Sequence, residues 1–396
     1  MTPPINPNLV RALSPPVMEA RRWVQGVESP PDRPPLNLSQ AAPSQPPPLR
    51  LRHALAEAVV ELPEAHFYGP VLGDRDLREA IATRWSALYD GRVEPFDVAV
   101  TAGCNQAFCA AVQTLCAPGE AVAMAVPWYF NHRMWLDMAG IETVPFRCDE
   151  AMLPDVEACR RALTPKTRAI LLISPNNPTG VTYSPALIAD FYDLARETGR
   201  VLILDETYRD FRVEDDAAHD LFQREEWRGH LVHLYSFSKV YRLTGHRTGC
   251  MITGASRIAE AEKFLDTVTI CPPRLGQIAA LYGLANLAGW VAAERDEVVA
   301  RRQVLEDEFE SHLPDWRVRA AGAYFAWVEP PFDMTGSALA RRLVEEQSML
   351  ILPGSMFAPP NEAARWGCER ALRVAFANVG GDGLCEMTRR LAAFAA

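Results

Sequence analysis

The chain has 396 residues and a mass of 44.0 kDa, which predicts about two to three domains. Its net charge of −10, without a long basic run, argues against nucleic acids or anionic membranes as partners. No apolar run is long enough to span a bilayer, and the N-terminus lacks the apolar core of a signal peptide. The nine cysteines are scattered singly, which indicates reduced thiols in a cytoplasmic protein, with neither disulfides nor a metal site.

Proline is abundant near the N-terminus, where eight of the 32 prolines lie between Pro30 and Pro48. One interpretation of this segment is a disordered arm. The other is an extended segment laid across a folded body, for which Leu36 and Leu38 supply side chains to bury. We favour the second interpretation.

From about residue 50, helix-like and strand-like segments alternate. Helical periodicity covers 53–62, 76–89, 105–117, 131–140, 155–164 and 186–199. Apolar, strand-like runs cover 98–103, 121–129, 143–149, 169–174, 201–208 and 231–238. Apolar strands that alternate with helices predict a mostly parallel sheet covered on both faces, which is an α/β fold.

The pattern changes after about residue 285. A long charged helix over 290–313 is followed by an alternating segment, 321–330, and a final helical stretch. We therefore predict an N-terminal arm, 1–48, that is part of a small domain, a large α/β domain, 49–285, and a small C-terminal α+β domain, 286–396.

Polar residues follow three of the predicted strands at the point where each strand ends. They are Asn176 and Asn177, then Asp205, and then Ser236, Ser238 and Lys239. Ligands of open α/β sheets lie beyond the carboxyl ends of the strands, so we expect these side chains to converge on one edge.

Lys239 is unusual because the chain has only three lysines among its 40 lysines and arginines. Arginine stays protonated near neutral pH, whereas a lysine that is desolvated or close to other cations can lose its proton. Only the neutral amine attacks a carbonyl, which makes Lys239 a candidate for a Schiff base. Taken alone, a surface lysine in a salt bridge is the simpler interpretation.

The neighbours of Lys239 favour the chemical interpretation. Ser236, Ser238 and Arg247 bring two hydroxyls and a guanidinium to a strand exit, a set suited to a phosphate. Asp205 directly follows an apolar run, and a buried carboxylate needs a cationic or hydrogen-bonded partner such as a pyridinium nitrogen. Tyr208, three residues later, can donate to a phenolate oxygen.

Four motifs, in order, carry a resemblance that covers roughly residue 30 to the end. They are the turn Asn177-Pro178-Thr179-Gly180, the pair Asp205 and Tyr208, the run Ser236, Ser238, Lys239 and Arg247, and Arg373 in LRVAFAN. On these motifs the chain resembles the class I/II, fold-type I aminotransferases, which use pyridoxal 5′-phosphate (PLP).

The resemblance implies a role for each of these residues. Lys239 would hold PLP as a Schiff base, and Asp205 would keep the pyridine nitrogen protonated. The phosphate would be bound by the two serines and Arg247, together with backbone N–H groups at the start of a helix. The full set of implied cofactor contacts is Lys239, Asp205, Tyr208, Asn177, Ser236, Ser238, Arg247, Tyr129, Cys104, Asn105 and Tyr68, of which Lys239, Asp205 and Tyr208 are catalytic.

The resemblance also implies substrate and subunit contacts. Arg373 would pair with the substrate α-carboxylate, and Asn177 and Ala41 would lie beside the substrate. Ala41 stands where many relatives have glycine, and this departure affects the substrate side of the site. Tyr68 would reach the phosphate in the neighbouring subunit, which implies a homodimer with shared sites.

The implied activity is transfer of an amino group between an L-amino acid and a 2-oxo acid, in enzyme class EC 2.6.1.-. One alternative is a PLP-dependent lyase, cyclase or oxidase, because no single motif separates these reactions. A third possibility, a non-catalytic PLP sensor, is disfavoured because only about thirty residues precede the fold and the chain is acidic. The sequence does not identify the donor or the acceptor.

Overall fold

The computed structural model describes residues 3–214 and 216–394. The α-helices of this part are α1 (Pro7–Arg11), α2 (Pro16–Trp23), α3 (Leu49–Glu61), α4 (Arg75–Leu88), α5 (Cys104–Gln113), α6 (Phe130–Met138), α7 (Val156–Ala162), α8 (Pro185–Glu197), α9 (Trp227–His230), α10 (Phe237–Val240), α11 (Ala255–Thr269), α12 (Arg274–Asn286), α13 (Ala288–His312), α14 (Gly336–Gln347) and α15 (Gly381–Ala392). The strands are β1 (Leu36–Asn37), β2 (Val98–Thr101), β3 (Ala121–Val126), β4 (Glu142–Arg147), β5 (Thr167–Ile173), β6 (Val201–Asp205), β7 (Leu231–Ser236), β8 (Gly249–Ile252), β9 (Arg317–Gly322), β10 (Phe325–Glu329), β11 (Met349–Leu350), β12 (Leu352–Pro353) and β13 (Leu372–Val374).

The largest sheet has seven strands in the order β2-β8-β7-β6-β5-β3-β4. Every neighbouring pair is parallel except those that involve β8, which is antiparallel to both β2 and β7. The prediction of an α/β fold with a mostly parallel sheet is thus confirmed.

Both faces of this sheet are buried, as its apolar strands require. Along β5, Ala169 and Leu171 pack into one apolar cluster, whereas Ile170 and Leu172 pack into another. Helix α5 supplies buried residues to the first cluster, and helices α4 and α8 supply them to the second. Alternate strand residues point to opposite faces, so a run of consecutive apolar residues is what a doubly covered strand needs.

A second, antiparallel sheet has the order β12-β13-β10-β9 and packs with α13, α14 and α15 around a third cluster. The proline-rich N-terminal segment lies against this part, because β1 pairs in parallel with β11, Leu36 opposite Met349. Leu38 is fully buried, so the extended interpretation of this segment is confirmed. The division of the chain into domains at 48 and 285 stays a prediction.

Three features were not anticipated from the sequence. Strand β8 and helices α11 and α12 fill 249–286, where we predicted no elements. The short connection between β7 and β8 holds only the four-residue helix α10, too little for a parallel crossover, which accounts for the antiparallel pairing. The alternating segment 321–330 contains the β9–β10 hairpin turn at Ala323, where φ is 44°.

Among the described residues, no single helix is long and apolar enough to cross a membrane; α12 and α13 meet those criteria only together, as a pair bent by 89°.

The order of the strands brings the predicted polar residues together. Strands β5, β6 and β7 are neighbours in the sheet, and they end at Ile173, Asp205 and Ser236. The residues that follow these three ends therefore meet at one edge, where Arg373 of β13 and the segment 40–42 also line a cavity.

Candidate active site

A cavity of about 520 Å³ lies at the carboxyl edge of the large sheet. This volume is in the range of small-molecule and cofactor sites. Twelve of the predicted site residues line it, namely Ala41, Cys104, Asn105, Tyr129, Asn177, Asp205, Tyr208, Ser236, Ser238, Lys239, Arg247 and Arg373. Residues separated by more than 300 positions in the sequence thus form one site.

Lys239 lies in the short helix α10 that follows β7, and its amine points into the cavity. Its Nζ donates a hydrogen bond to the backbone oxygen of Ala41. Desolvation, together with the positive charges of Arg247 and Arg373, lowers the pKa of Lys239 to about 8. A substantial fraction of this amine is therefore neutral, and nucleophilic, close to physiological pH.

Asp205 ends β6 and is almost completely buried. Its Oδ1 accepts hydrogen bonds from the backbone N–H of Thr207 at 3.0 Å and from the Thr207 hydroxyl at 2.7 Å. Its Oδ2 lies 3.4 Å from Nε2 of His132. Burial alone would raise the pKa of Asp205, but His132 and Thr207 outweigh burial and lower it, so the carboxylate is held ionised in the cavity wall.

A group of anion-binding donors lines the same cavity. Arg247 donates from Nη1 to Oγ of Ser238 at 3.3 Å, and its own backbone is in the left-handed region with φ of 51°. Helix α5 begins beside it, after Gly103, whose φ is 84°. A Cβ at Gly103 would lie 2.3 Å from Nη2 of Arg247 and would displace this guanidinium, and the positive φ also favours glycine here.

The first N–H groups of α5, at Cys104 and Asn105, have no acceptor within the helix, and the helix dipole favours negative charge there. Ser236 also lines this end of the cavity, and its hydroxyl accepts from the N–H of Ser238 at 3.2 Å. Hydroxyls, a guanidinium and a helix N-terminus are what binds a phosphate group in proteins.

Arg373 is buried in β13, and no carboxylate of the described residues lies within 4.0 Å of its guanidinium. Nη1 donates to Oδ1 of Asn177 at 3.0 Å, and Nη2 donates to the backbone oxygen of Ser39. Its Nε has no hydrogen-bond partner within the described chain. Burial lowers the pKa of Arg373 to about 10. A buried cation in this state needs an anionic ligand.

Two tyrosines complete the wall. Tyr208 is buried, and burial raises its pKa well above the ordinary value, so its hydroxyl is a proton donor. Burial also raises the pKa of Tyr129, to about 12. The Tyr129 hydroxyl accepts from Nδ2 of Asn131 at 2.8 Å, and its ring meets His132 edge to face, with 5.1 Å between the centroids.

The structure differs from the sequence expectation at Asn176, whereas the expected contact of Tyr68 with a neighbouring subunit stays a prediction. Asn176 turns away from the cavity and donates to the Tyr183 hydroxyl at 3.0 Å, while its Oδ1 accepts from Thr179, so Asn177 alone faces the site. Tyr68 does not line the cavity, and 79% of its surface is exposed.

Sequence reasoning missed His132 and Thr207, both partners of Asp205. His132 had a signal, because it follows Tyr129 by three residues and therefore shares its helical face.

The comparisons with known proteins agree with this geometry. Residues 33–391 match the family model described as aminotransferase class I and II. An aromatic aminotransferase of Arabidopsis thaliana is 28% identical over 370 residues, which cover 91% of this chain and 88% of that protein. A probable N-succinyldiaminopimelate aminotransferase of Mycobacterium tuberculosis is 31% identical over 340 residues, covering 82% of this chain and 83% of that protein.

A solved structure gives the same result in three dimensions. The N-succinyldiaminopimelate aminotransferase from Mycobacterium tuberculosis superposes with a TM-score of 0.87 and 27% identity, over 99% of this chain and 100% of that one. The fold is therefore that of the fold-type I transferases, and the protein is an enzyme of the transferase class EC 2.6.1.-. From its matched residues, its fold and its relatives, this chain belongs to the class I and II aminotransferases.

Proposed function

We propose that this aminotransferase uses PLP and transfers an amino group between an L-amino acid and a 2-oxo acid through the amine of Lys239. The observation that carries the proposal is that Lys239 lines the same cavity as Arg247 and Arg373, where desolvation and these two charges lower its pKa to about 8. An amine in this state can be neutral when it meets an aldehyde, which an arginine at the same position cannot.

The residues present fit the cofactor. The anion-binding donors, Ser236, Ser238, Arg247 and the N-terminus of α5, suit its phosphate. Asp205 is held ionised and suits a protonated pyridine nitrogen.

The face and the phenolic oxygen of the ring also have partners. Oδ1 of Asn177 accepts a hydrogen bond from Arg373. The Nδ2 of Asn177 would therefore donate to the phenolic oxygen, together with the Tyr208 hydroxyl. Tyr129 would stack on the ring face.

The chemistry that PLP supplies when bound is an aldehyde that condenses with amines and a ring that withdraws electron density. Lys239 would act on the substrate as a general base, taking the proton from Cα at its Nζ and later returning it. Arg373 would hold the α-carboxylate through a two-pronged contact, which orients the Cα–H bond toward Lys239. Asp205, by staying ionised, would stabilise positive charge on the ring nitrogen throughout.

We also propose a homodimer in the cytoplasm. Tyr68 and its neighbour Phe67 are 79% and 68% exposed, and Val60 and Leu62, a few residues earlier in the sequence, are also exposed. Exposed apolar side chains so close in the sequence favour a protein partner, and Tyr68 would then reach the phosphate of the neighbouring subunit. All nine cysteines are free, which supports a reducing compartment.

The proposed function is tested by following the nitrogen. Purified protein with PLP, an amino acid carrying labelled nitrogen and an unlabelled 2-oxo acid are incubated, and the products are identified by mass spectrometry. We expect a labelled new amino acid and an equal amount of the donor's 2-oxo acid. Released ammonia without a labelled amino acid would contradict transamination and indicate the lyase or oxidase alternative.

Two variants provide the controls. Lys239→Arg keeps the charge but removes the titratable amine, so the rate should fall by about 10⁴-fold, the upper range for loss of a general base. Lys263→Arg alters an exposed lysine that is paired with Glu260 at 2.8 Å, and it should leave the rate unchanged.

A further inference from the structure

Helix α2 lies at the mouth of the cavity and presents one cation to it. Arg21 lines the cavity, and its Nη2 donates to Oε1 of Gln40 at 2.5 Å. Gln40 immediately precedes Ala41, whose carbonyl accepts from Lys239. The guanidinium of Arg21 is thereby held beside the stretch of backbone that faces the reacting amine.

The charges around the cavity do not balance. Its described lining contains four cationic side chains, Arg21, Lys239, Arg247 and Arg373, and one carboxylate, Asp205. The proposed function gives an anionic or covalent partner to three of the cations: the phosphate for Arg247, the α-carboxylate for Arg373 and the aldehyde for Lys239. Arg21 remains without a counter-charge.

The rest of the described chain does not neutralise Arg21. No carboxylate of residues 3–214 or 216–394 lies within 4.0 Å of its guanidinium. The acidic residue of the same helix, Glu19, lies 3.9 Å from Arg341 instead. Gln40 takes one N–H of Arg21, and the remaining N–H groups are available to a ligand in the cavity.

We propose that Arg21 binds the side-chain carboxylate of a dicarboxylic amino acid or 2-oxo acid, so that acidic substrates are preferred. This inference rests on the proposed function, since it assumes that Arg373 takes the α-carboxylate. A planar guanidinium pairs with a carboxylate through two hydrogen bonds, and its charge attracts the anion into the cleft.

The wall beside Arg21 fits the same ligand. Val17, Met18 and Phe130 line the cavity near α2 and offer an apolar surface. The methylene groups between the two carboxylates of such a substrate can lie against these side chains. Uncharged side chains can use the same surface, so Arg21 sets a preference among substrates and does not exclude uncharged ones.

The preference is measured on the holoenzyme, with the first half-reaction followed separately for aspartate, glutamate and alanine. We expect Arg21→Met to lower kcat/KM for aspartate or glutamate relative to alanine by about 10- to 100-fold, the value of a charge-assisted hydrogen bond. Arg21→Lys should retain part of the preference, because the ammonium keeps the positive charge but loses the paired hydrogen bonds of the guanidinium. Arg22→Met, on the neighbouring residue that does not line the cavity, should leave the ratio unchanged.

Binding without turnover provides a second readout. Succinate carries two carboxylates and propionate one, and calorimetry with the holoenzyme gives both dissociation constants. Arg21→Met should weaken succinate about 10- to 100-fold and leave propionate unaffected. An unchanged ratio in both experiments, or a wild type that shows no preference for acidic donors, would overturn the inference. If no amino acid reacts at all, the proposed function fails, and the succinate experiment still reports on Arg21.

Discussion

At the end of β6, one face of the large sheet borders the cavity and the other borders packed core. Asp205 and Glu206 are consecutive, both are acidic, and both are buried. Along β6, Ile203 belongs to the apolar cluster on one face and Leu204 to the cluster on the other. The same alternation sends Asp205 toward the cavity and Glu206 toward the core beneath Trp85 and Tyr89.

Glu206 is enclosed by protein donors. Its Oε2 accepts from the Tyr89 hydroxyl and lies 2.7 Å from Nε2 of His233 and 3.7 Å from Nε2 of His219. Burial alone would raise the pKa of Glu206, but the two histidines outweigh it and hold the pKa well below the ordinary value.

The ligand atoms of Glu206, His219 and His233 lie within 4.8 Å of one another, a spacing that a metal ion could bridge. The tautomer of His219 argues against a metal ion there, because a protonated Nε2 cannot act as a ligand. Its Nδ1 accepts from the N–H of Leu221 at 3.2 Å, so in the neutral ring Nε2 carries the proton and points at Glu206.

The end of a single strand thus carries a residue suited to catalysis on one face and a residue suited to stability on the other. Asp205 is left with acceptor capacity toward the cavity, where a ligand can use it. Glu206 has its donors, Tyr89 and His233, on Oε2, and it does not line the cavity. Substitution of Asp205 should therefore lower mainly the activity, and substitution of Glu206 should lower mainly the stability.

Among substitutions on the two faces, Asp205→Asn should have the largest effect on activity. An amide cannot stabilise a protonated ring nitrogen, and loss of one preorganised electrostatic group costs about 10²- to 10³-fold in rate. The rate of labelled-nitrogen transfer measures this effect, and the free energy of unfolding of the cofactor-free protein should fall less than in Glu206→Gln, because the amide oxygen still accepts from Thr207. A large loss of stability without loss of rate would contradict the assignment of the two faces.

Glu206→Gln should show the reverse. Replacing the carboxylate leaves His233, Tyr89 and Arg209 around a neutral amide, and breaking a buried charge network costs about 3 kcal/mol. Denaturant unfolding of the cofactor-free protein would report this loss, while the transfer rate of the folded holoenzyme should stay within about threefold of wild type, since a tenfold change needs 1.4 kcal/mol at the site. A rate loss as large as that of Asp205→Asn would show that Glu206 also serves the chemistry.

Acid should destabilise the folded protein through the buried groups around Glu206. Burial lowers the pKa of His233 below its ordinary 6.5, so below that pH the unfolded chain binds a proton that the folded chain does not. Stability therefore falls as the pH drops below 6.5, by at most about 1.4 kcal/mol per pH unit for this group. Glu206, whose folded pKa is depressed, adds a further loss below pH 4.5.

His233→Gln provides the control for this prediction, because it keeps a donor to Glu206 but does not titrate. Unfolding free energies of the variant and the wild type are measured across the same pH range. Their difference should change between pH 7 and pH 5; a difference that is independent of pH would exclude His233 as a source.

The smallest expected effect is that of Tyr89→Phe. It removes the hydroxyl that donates to Glu206 and accepts from Nε of Arg209 at 2.9 Å. One hydrogen bond to a charged group contributes about 1.5 to 3 kcal/mol when lost, and the remaining donors around Glu206 should limit the cost to about 1.5 kcal/mol. A loss larger than that of Glu206→Gln would place the tyrosine, and not the carboxylate, at the centre of the network.

The residues that line the cavity were easier to predict from the sequence than the buried contacts of Glu206 on the other face of the sheet. Asp205, Ser236 and Lys239 could be placed at one edge because each follows an apolar strand and parallel strands end on the same side. The family motifs added Arg373 and Arg247, which are distant in sequence.

The remaining features depend on turn geometry and side-chain directions, which sequence periodicity does not specify. Asn176 and Asn177 are adjacent, yet the turn directs only the second into the cavity. The contacts of Glu206 with His219 come from a loop whose path the sequence does not reveal. Arg21 was one arginine among many until its position on α2 was known.

The most direct test of the account is to locate the attachment of PLP on the chain. The protein is loaded with PLP and treated with borohydride, and the peptides are mapped by mass spectrometry. We expect a stable reduced adduct on the peptide that contains Lys239, and no adduct on those that contain Lys166 or Lys263. An adduct on either of those lysines, or none in a protein that has bound the cofactor, would contradict it.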